Sequence, residues 1–245
     1  MDEVYERRTH EIEDDHWWYR GRRRVIEVAL RGLGLPPGIA ILDAGCGSGR
    51  NMVDLAAFGS VTGLELADAS VARARGRGVG EVVQGTLEDM PFENARFDLA
   101  VSFDVIEHLD DDRRALGELR RVVRPGGLLV VTVPAYQWLW SEHDVVNHHR
   151  RRYTRRTLEA AASAAGWETV STTHFNGLLL PAAVGHRALL RVRHRGDHDA
   201  PPVSDLERTS PRLNRLLEQP LNLEARLIAA GRRIPCGLSL MAVFR

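Results

Sequence analysis

Short apolar runs alternate with amphipathic stretches along most of the chain, and that alternation predicts a parallel sheet covered by helices. IAILD, VTGLE, EVVQG, RFDLAVSFD and LLVVTVP read as five successive strands, WETVSTTHF as a sixth and GLSLMAVFR as a seventh. Helices are expected from Trp17 to Gly32, from about Asn51 to Phe58, and over LADASVARAR, DDRRALGELRRVV and TRRTLEAAASAAG. RPGG is expected to stop the helix before the fifth strand. About sixty residues between the sixth and seventh strands fit no sheet. Helical patterns there flank a loop at GDHDAPPVSD, which predicts an insertion or a cap over the sheet edge. The expected α/β domain therefore has a helical cap over 1–35, a core over 36–174, an insertion over 175–235 and a last strand over 236–245.

Composition narrows the function classes. A chain of 245 residues with 44% hydrophobic and 27% charged content suits one soluble domain. It lacks an apolar run of the roughly 20 residues needed to cross a bilayer. The start, MDEVYERRTHEIEDDH, is acidic and polar and lacks the features of a secretory signal, so a cytoplasmic location is expected. Cys46 and Cys236 read as free thiols. A formal net charge of zero argues against a nucleic-acid partner. Every basic residue among the 33 is arginine. Without lysine there can be no Walker-type phosphate loop, no pyridoxal Schiff base and no Tyr-x-x-x-Lys dehydrogenase site.

The stretch ILDAGCGSGR follows the first strand and opens a helix, the place where open parallel sheets bind nucleotides. Glycines there tolerate positive φ and let a ligand approach the main chain. The spacing of Gly45, Gly47 and Gly49 is G-x-G-x-G. About twenty residues further on, Glu65 ends the second strand at the position of a ribose-binding acid. Two readings remain at this point: a dinucleotide cofactor, or an adenosine cofactor without the pyrophosphate.

ILDAGCGSGR, VTGLELA, VQGTLEDMPFENARFDLAVSFDVIEHLDD and LRRVVRPGGLLVVTVP resemble, in order, the signature blocks of class I S-adenosylmethionine-dependent methyltransferases, especially the type 11 and 12 groups. The resemblance covers residues 39 to 174 and implies a Rossmann-like, mainly parallel seven-stranded sheet with helices on both faces. It also implies S-adenosyl-L-methionine as cofactor. Gly45 and Gly47 would pass beneath its methionine part, Asp43 would brace the loop, and Glu65 with Leu66 would hold the ribose. Adenine would lie near Thr86 and Leu87. Many relatives carry an aspartate where Thr86 stands, so Glu88 or Asp89 would substitute. Phe103 and Asp104 match the region facing the methionine end and the acceptor. Asp43 also suits a simple loop-capping carboxylate.

HWWYRGRRR, residues 16 to 24, has two readings. Tyr19 or Arg20 could roof the cofactor and reach its carboxylate, or the tryptophans could fill core space with the arginines solvated. PAYQWLWSEHDVVNHHRRRYT follows the fifth strand and combines Tyr136 and Trp140 with His143, Asp144, His148 and His149. HRRRYTRRTL resembles an H-x-R-x-[FY]-T-x-x-x-L block of the same groups, which places His149 and Arg151 near the acceptor. His149, then His143, is the expected base or positioning group. Three histidines and an acid also suit a metal, but their irregular spacing on a loop leaves no metal site expected. Residues 175 to 195 are apolar, then arginine-rich. They suit either a helix on the sheet edge or a peripheral contact with a membrane or lipid-linked acceptor. The expected activity is methyl transfer to a small-molecule or lipid-linked acceptor. A non-catalytic cofactor-binding partner and a nicotinamide-dependent oxidoreductase are the alternatives.

Overall fold

The computed structural model describes residues 11–193 and 209–245. Seven strands form one sheet: β1 (Ile39–Ala44), β2 (Gly59–Glu65), β3 (Glu81–Gln84), β4 (Phe97–Phe103), β5 (Val123–Pro134), β6 (Thr169–Phe175) and β7 (Ser239–Phe244). Their order is β3-β2-β1-β4-β5-β7-β6. The first five strands pair in parallel, and β7 runs antiparallel to both β5 and β6. The helices are α1 (Trp17–Arg31), α2 (Arg50–Leu55), α3 (Asp68–Gly76), α4 (Asp112–Val122), α5 (Glu142–Val146), α6 (Arg155–Ala164), α7 (Leu180–Arg193) and α8 (Pro211–Ala229). The strand order reverses between β1 and β4, and a crevice for ligands opens at such a switch point.

The inner strands bury both faces, as a sheet covered on two sides requires, while the edge strands β3 and β6 are partly exposed. Leu42 and Ala44 join Ala100, Leu116, Leu119 and Leu158 on one side. Ile39 and Ile41 join Val25, Leu30, Met52 and Leu221 on the other. The second core explains the residues before the last strand. An insertion or a cap over the sheet edge is what their pattern suggested, and in this segment α8 packs along α1. A Cβ on Gly21 would stand 2.4 Å from Leu221 Cδ1, so glycine is what lets these helices close together. The Trp17 N–H donates to Asn214 Oδ1 at 3.0 Å and fixes the register.

Two further differences from the sequence pattern have local causes. α2 is a turn shorter than expected and ends at Leu55. RPGG does not separate α4 from β5: the strand begins at Val123, directly after the helix, and takes these residues in. Gly126 supplies a φ of 81° there, and β4 shifts register opposite it between Phe97 and Leu99. The loop expected at GDHDAPPVSD lies outside the described residues. Among the described residues no helix is long and apolar enough to cross a membrane. Cys46 is buried, Cys236 is exposed, and both are free.

The turn leaving β6 depends on a buried carboxylate. Glu224 of α8 accepts from the backbone N–H groups of Asn176, Gly177 and Leu178, and is 1% exposed. Glu224→Ala leaves three amides without that acceptor and is expected to destabilise the fold by ~2–4 kcal/mol. The midpoint of urea unfolding measures this; a loss below ~0.5 kcal/mol would show that the turn does not depend on Glu224.

Candidate active site

The glycine loop is bound to the neighbouring strand before any ligand is considered. The Gly45 and Cys46 N–H groups donate to Leu64 O at 2.8 and 3.0 Å. A Cβ on Gly45 would collide with Val105 at 2.5 Å, so one side of the loop is packed shut. Gly47 differs: its φ is 53°, and a Cβ there would meet nothing within 4 Å. That side is open. Glu65 closes the cradle at the end of β2, with Oε2 accepting from the Gly47 N–H at 2.9 Å. Its Oε1 accepts from the Leu66 and Ala67 N–H groups at 2.8 and 3.0 Å. Leu66 is 62% exposed on the same rim.

Asp43 ends β1 beneath this loop and is fully buried, with neither carboxylate oxygen hydrogen-bonded among the described residues. Burial lifts its carboxyl to about 7, against the pull of Arg22 and with a smaller push from Glu65. Burial likewise pushes the Cys46 thiol well up, which makes it a packing group.

α1 delivers a cation to these acids. The side chain of Arg22 is buried, with Nε 2.8 Å from Asp104 Oδ2 and the guanidinium over the rings of Trp18 and Phe103 at 5.3 and 5.8 Å. Arg20 points elsewhere, its Nε 3.0 Å from Glu218 of α8. Tyr19 stands edge-on to Trp18 at 4.9 Å and to His16 at 6.1 Å. Sequence reasoning missed Arg22 as a buried arginine, and its period shows it: Arg22, Ile26 and Leu30 are four residues apart on the buried stripe of α1. Ahead of α1, Glu13 accepts from Ser48 Oγ and from Arg77 Nη2 at 2.5 and 2.7 Å, which lays the N-terminal segment over the loop.

The loops leaving β4 and β5 meet at the same edge. Asp104 follows β4 with a φ of 55°, a left-handed strain that turns its carboxylate toward Arg22. Glu107, three residues on, is fully buried with both carboxylate oxygens lacking a partner among the described residues. Burial and Asp104 hold its carboxyl well above the ordinary range. The His108 ring meets the His149 ring edge-on at 4.7 Å. Burial first, then His149, lowers His108 to about 3. His149 Nδ1 lies 2.8 Å from Oδ1 of fully buried Asp144, which also accepts from Arg152 Nε at 2.7 Å. Despite the cost of burial, these bonds hold Asp144 well below the usual carboxylate range.

The remaining sequence-predicted residues separate. His143 lies 6.2 Å from His149, ring to ring, with Nε2 3.3 Å from Asn147 Nδ2. Arg151 donates to the carbonyls of Leu109 and Asp110 and pairs with Asp112, so its guanidinium ties two loops together. Tyr136 stacks between Trp138 and His174 and contacts His174 Nε2 through its hydroxyl at 3.1 Å. Trp140 is half-buried after the short helix Gln137–Leu139. Thr86 pairs with Asp89 across a tight turn beside the end of β3, and Leu87 is buried in the core.

Residues 42–131 match the family described as "Methyltransferase domain". The chain is 32% identical over 200 residues to a "Probable S-adenosylmethionine-dependent methyltransferase" of Mycolicibacterium smegmatis, covering 78% of this chain and 76% of that one. It is 33% identical over 153 residues to a malonyl-[acyl-carrier protein] O-methyltransferase of Pseudescherichia vulneris, covering 58% of this chain and 60% of that one. Against several other curated relatives the chain spans about half their length. The solved structure of an S-adenosylmethionine-dependent methyltransferase from Mesorhizobium loti shares the fold, with a TM-score of 0.59 at 18% identity over 95% of this chain and 99% of that one.

The unpaired carboxyl of Asp43 sets a pH signature for the ligand-free protein. With its folded value near 7 against 3.8 for a free side chain, its stabilising contribution is complete below about pH 4 and is lost as pH rises to about 7. Asp43→Asn abolishes that loss. Its stability advantage over wild type is expected to grow across this window, by ~2–4 kcal/mol, and then level off. Urea midpoints at pH 5, 6, 7 and 8 measure the difference; an advantage independent of pH contradicts the assignment.

Proposed function

We propose, from the premise that this chain belongs to the family of S-adenosylmethionine-dependent methyltransferases, that it transfers a methyl group from S-adenosyl-L-methionine to a small-molecule or lipid-linked acceptor by direct in-line displacement. The observation that carries this reading is the joint between Glu65 and the Gly47 amide beside an open face of the loop. A carboxylate held there suits two ribose hydroxyls, and bare backbone beside it suits a ligand lying against the main chain. When bound, the cofactor supplies a methyl group already activated on a sulfonium, so no protein nucleophile is required.

The chain's residues take their roles from this cradle. Glu65 and Leu66 hold the ribose side, Gly45 and Gly47 line the methionine side, and Thr86 and Leu87 bound the adenine side. Asp43, buried and without a partner, faces the cationic methionine end and favours it most when ionised. Phe103 and Asp104 close that end. Arg22, whose Nη2 has no hydrogen-bond partner among the described residues, takes the contact with the methionine carboxylate that the sequence suggested for Arg20. Trp18 and Tyr19 form the roof.

On the acceptor side, Asp144 orients His149 through Nδ1, which leaves Nε2 to accept a proton as the acceptor attacks. His143 supports it from the flank. Tyr136, Trp138 and Trp140 offer an aromatic ledge for the acceptor body. Arg151, bound by carbonyls and Asp112, is left to position the loop. Zero net charge supports a small or lipid-borne acceptor over nucleic acid. Similarity to a malonyl-[acyl-carrier protein] O-methyltransferase supports an oxygen atom as the methyl acceptor.

Calorimetric titration with S-adenosylhomocysteine is expected to show one site, weakened ~10–100-fold by Glu65→Ala through the lost charge-assisted bonds. Unaltered affinity in the variant would remove Glu65 from the site. For the acceptor, protein and methyl-tritiated cofactor are incubated with size-fractionated cell extract. Label is expected in small-molecule or lipid-extractable material, with loss of at least ~100-fold in His149→Ala if that residue acts as base. Label confined to nucleic acid or protein would overturn the acceptor class. Cofactor binding without any labelled product would favour a non-catalytic partner.

A further inference from the structure

The short helix Ile106–His108 and the loop after α5 bring three side chains together from opposite ends of some forty residues of chain. Glu107, His108 and His149 each offer a ligand atom, and these atoms all lie within 4.8 Å of one another. We propose that Glu107, His108 and His149 form a binding site for a single divalent transition-metal ion of the zinc class.

Three observations carry the assignment. First, Glu107 is fully buried, yet neither of its oxygens has a hydrogen-bond partner among the described residues. A buried carboxylate without a partner is costly, and a bound cation removes that cost. Second, the His149 ring is oriented from behind. Nδ1 is held 2.8 Å from Asp144, and Asp144 is fixed in turn by Arg152 and by the Ser141 N–H. A carboxylate behind a ligating imidazole is the arrangement that sets the tautomer and orientation of metal-bound histidines, and here it leaves Nε2 as the free ligand nitrogen. Third, the loops carrying the three groups are joined by main chain, with the Arg150 N–H donating to Glu107 O at 2.7 Å. The cluster is therefore held together without the ion.

The donor set decides the class of ion. Two imidazoles and one carboxylate match zinc and its neighbours, whereas magnesium and calcium prefer oxygen ligands. Ligand atoms on a tetrahedral zinc stand about 3.4 Å apart, so from separations within 4.8 Å the three groups need to contract by up to about 1.4 Å, within the reach of small χ adjustments. The fourth position would face the acceptor side of the site and bind water or an acceptor oxygen. This inference rests on the three side chains alone. With the ion bound, His149 Nε2 would be a ligand and the oxygen in the fourth position would take over as proton acceptor; if the inference fails, His149 keeps that role.

Protein stripped with chelator and dialysed free of it is titrated with Zn2+ in competition with a chromophoric chelator, and separately with Co2+ while visible absorption is recorded. One equivalent of Zn2+ is expected to bind at micromolar affinity or tighter, unaffected by millimolar Mg2+. Bound Co2+ is expected to give the visible d–d bands of a four- or five-coordinate site. His108→Ala and His149→Ala abolish the bands, Asp144→Asn weakens binding ~10–100-fold, and His148→Ala, at an exposed neighbouring position, leaves binding unchanged. Glu107→Gln, nearly isosteric, tests the carboxylate where truncation unfolds the chain. Wild-type protein that takes up no Zn2+, or that binds it equally well after both histidine substitutions, overturns the proposal. Competition by Mg2+ at equal concentration overturns the class of ion.

Discussion

Four carboxylates crowd the edge where β1, β2 and β4 end, and the guanidinium that α1 brings among them belongs to Arg22. Asp43, Glu65, Asp104 and Glu107 come from different strands and turns, so the crowding is a property of the fold and not of any one motif. Arg22 pairs with Asp104, and its charge reaches Asp43 and Glu107. It does not satisfy all of them. Asp43 and Glu107 stay buried without hydrogen-bond partners among the described residues. Such a site favours cationic ligands, because each added positive charge relieves a desolvation cost already present in the folded chain. A sulfonium and an ammonium on one cofactor meet that requirement at the Asp43 side.

The architecture sustains this unfavourable cluster by stabilising its surroundings. α1 must hold Arg22 against the acids, and α8 holds α1 through the close passage at Gly21 and the bond from Trp17 to Asn214. α8 thus helps to build the site by holding α1 in place. Across the loop, Glu13 binds Ser48 and Arg77, so the segment before α1 fastens the glycine turn to α3. On the far side, Asp144 carries its charge comfortably because Arg152, His149 and the Ser141 amide all bind it. Asp144 and Glu107 thus contrast: one buried carboxylate is bound on several sides, and the other has no hydrogen-bond partner among the described residues.

Much of this was legible in the sequence. Alternating apolar runs gave the seven strands, and the glycine loop with Glu65 pointed to the proposed cofactor side, because strand pattern and βα-turn chemistry are local properties. RPGG misled at the start of β5, where a glycine with positive φ lets the strand continue through a turn signal. The four-residue step from Arg22 to Ile26 to Leu30 marks the inward face of α1, whereas Arg20 lies off that stripe and pairs with Glu218. Arg151 resembled an acceptor contact by its motif, but its partners are carbonyls of a loop forty residues away. The meeting of Glu107, His108 and His149 likewise depends on how the loops after β4 and β5 fold over one sheet edge, and no local pattern encodes that.

The acid-rich cradle between the ends of β1 and β2 is the proposed seat of the cofactor. The most direct test is a crystal structure of the protein with S-adenosylhomocysteine. Ribose hydroxyls are expected on the Glu65 carboxylate, the amino acid part against Gly45 and Gly47, and its ammonium within reach of Asp43. Well-ordered ligand bound elsewhere on the molecule, or a Glu65 still closed on the Gly47 amide beside an empty cradle at saturating ligand, would contradict it.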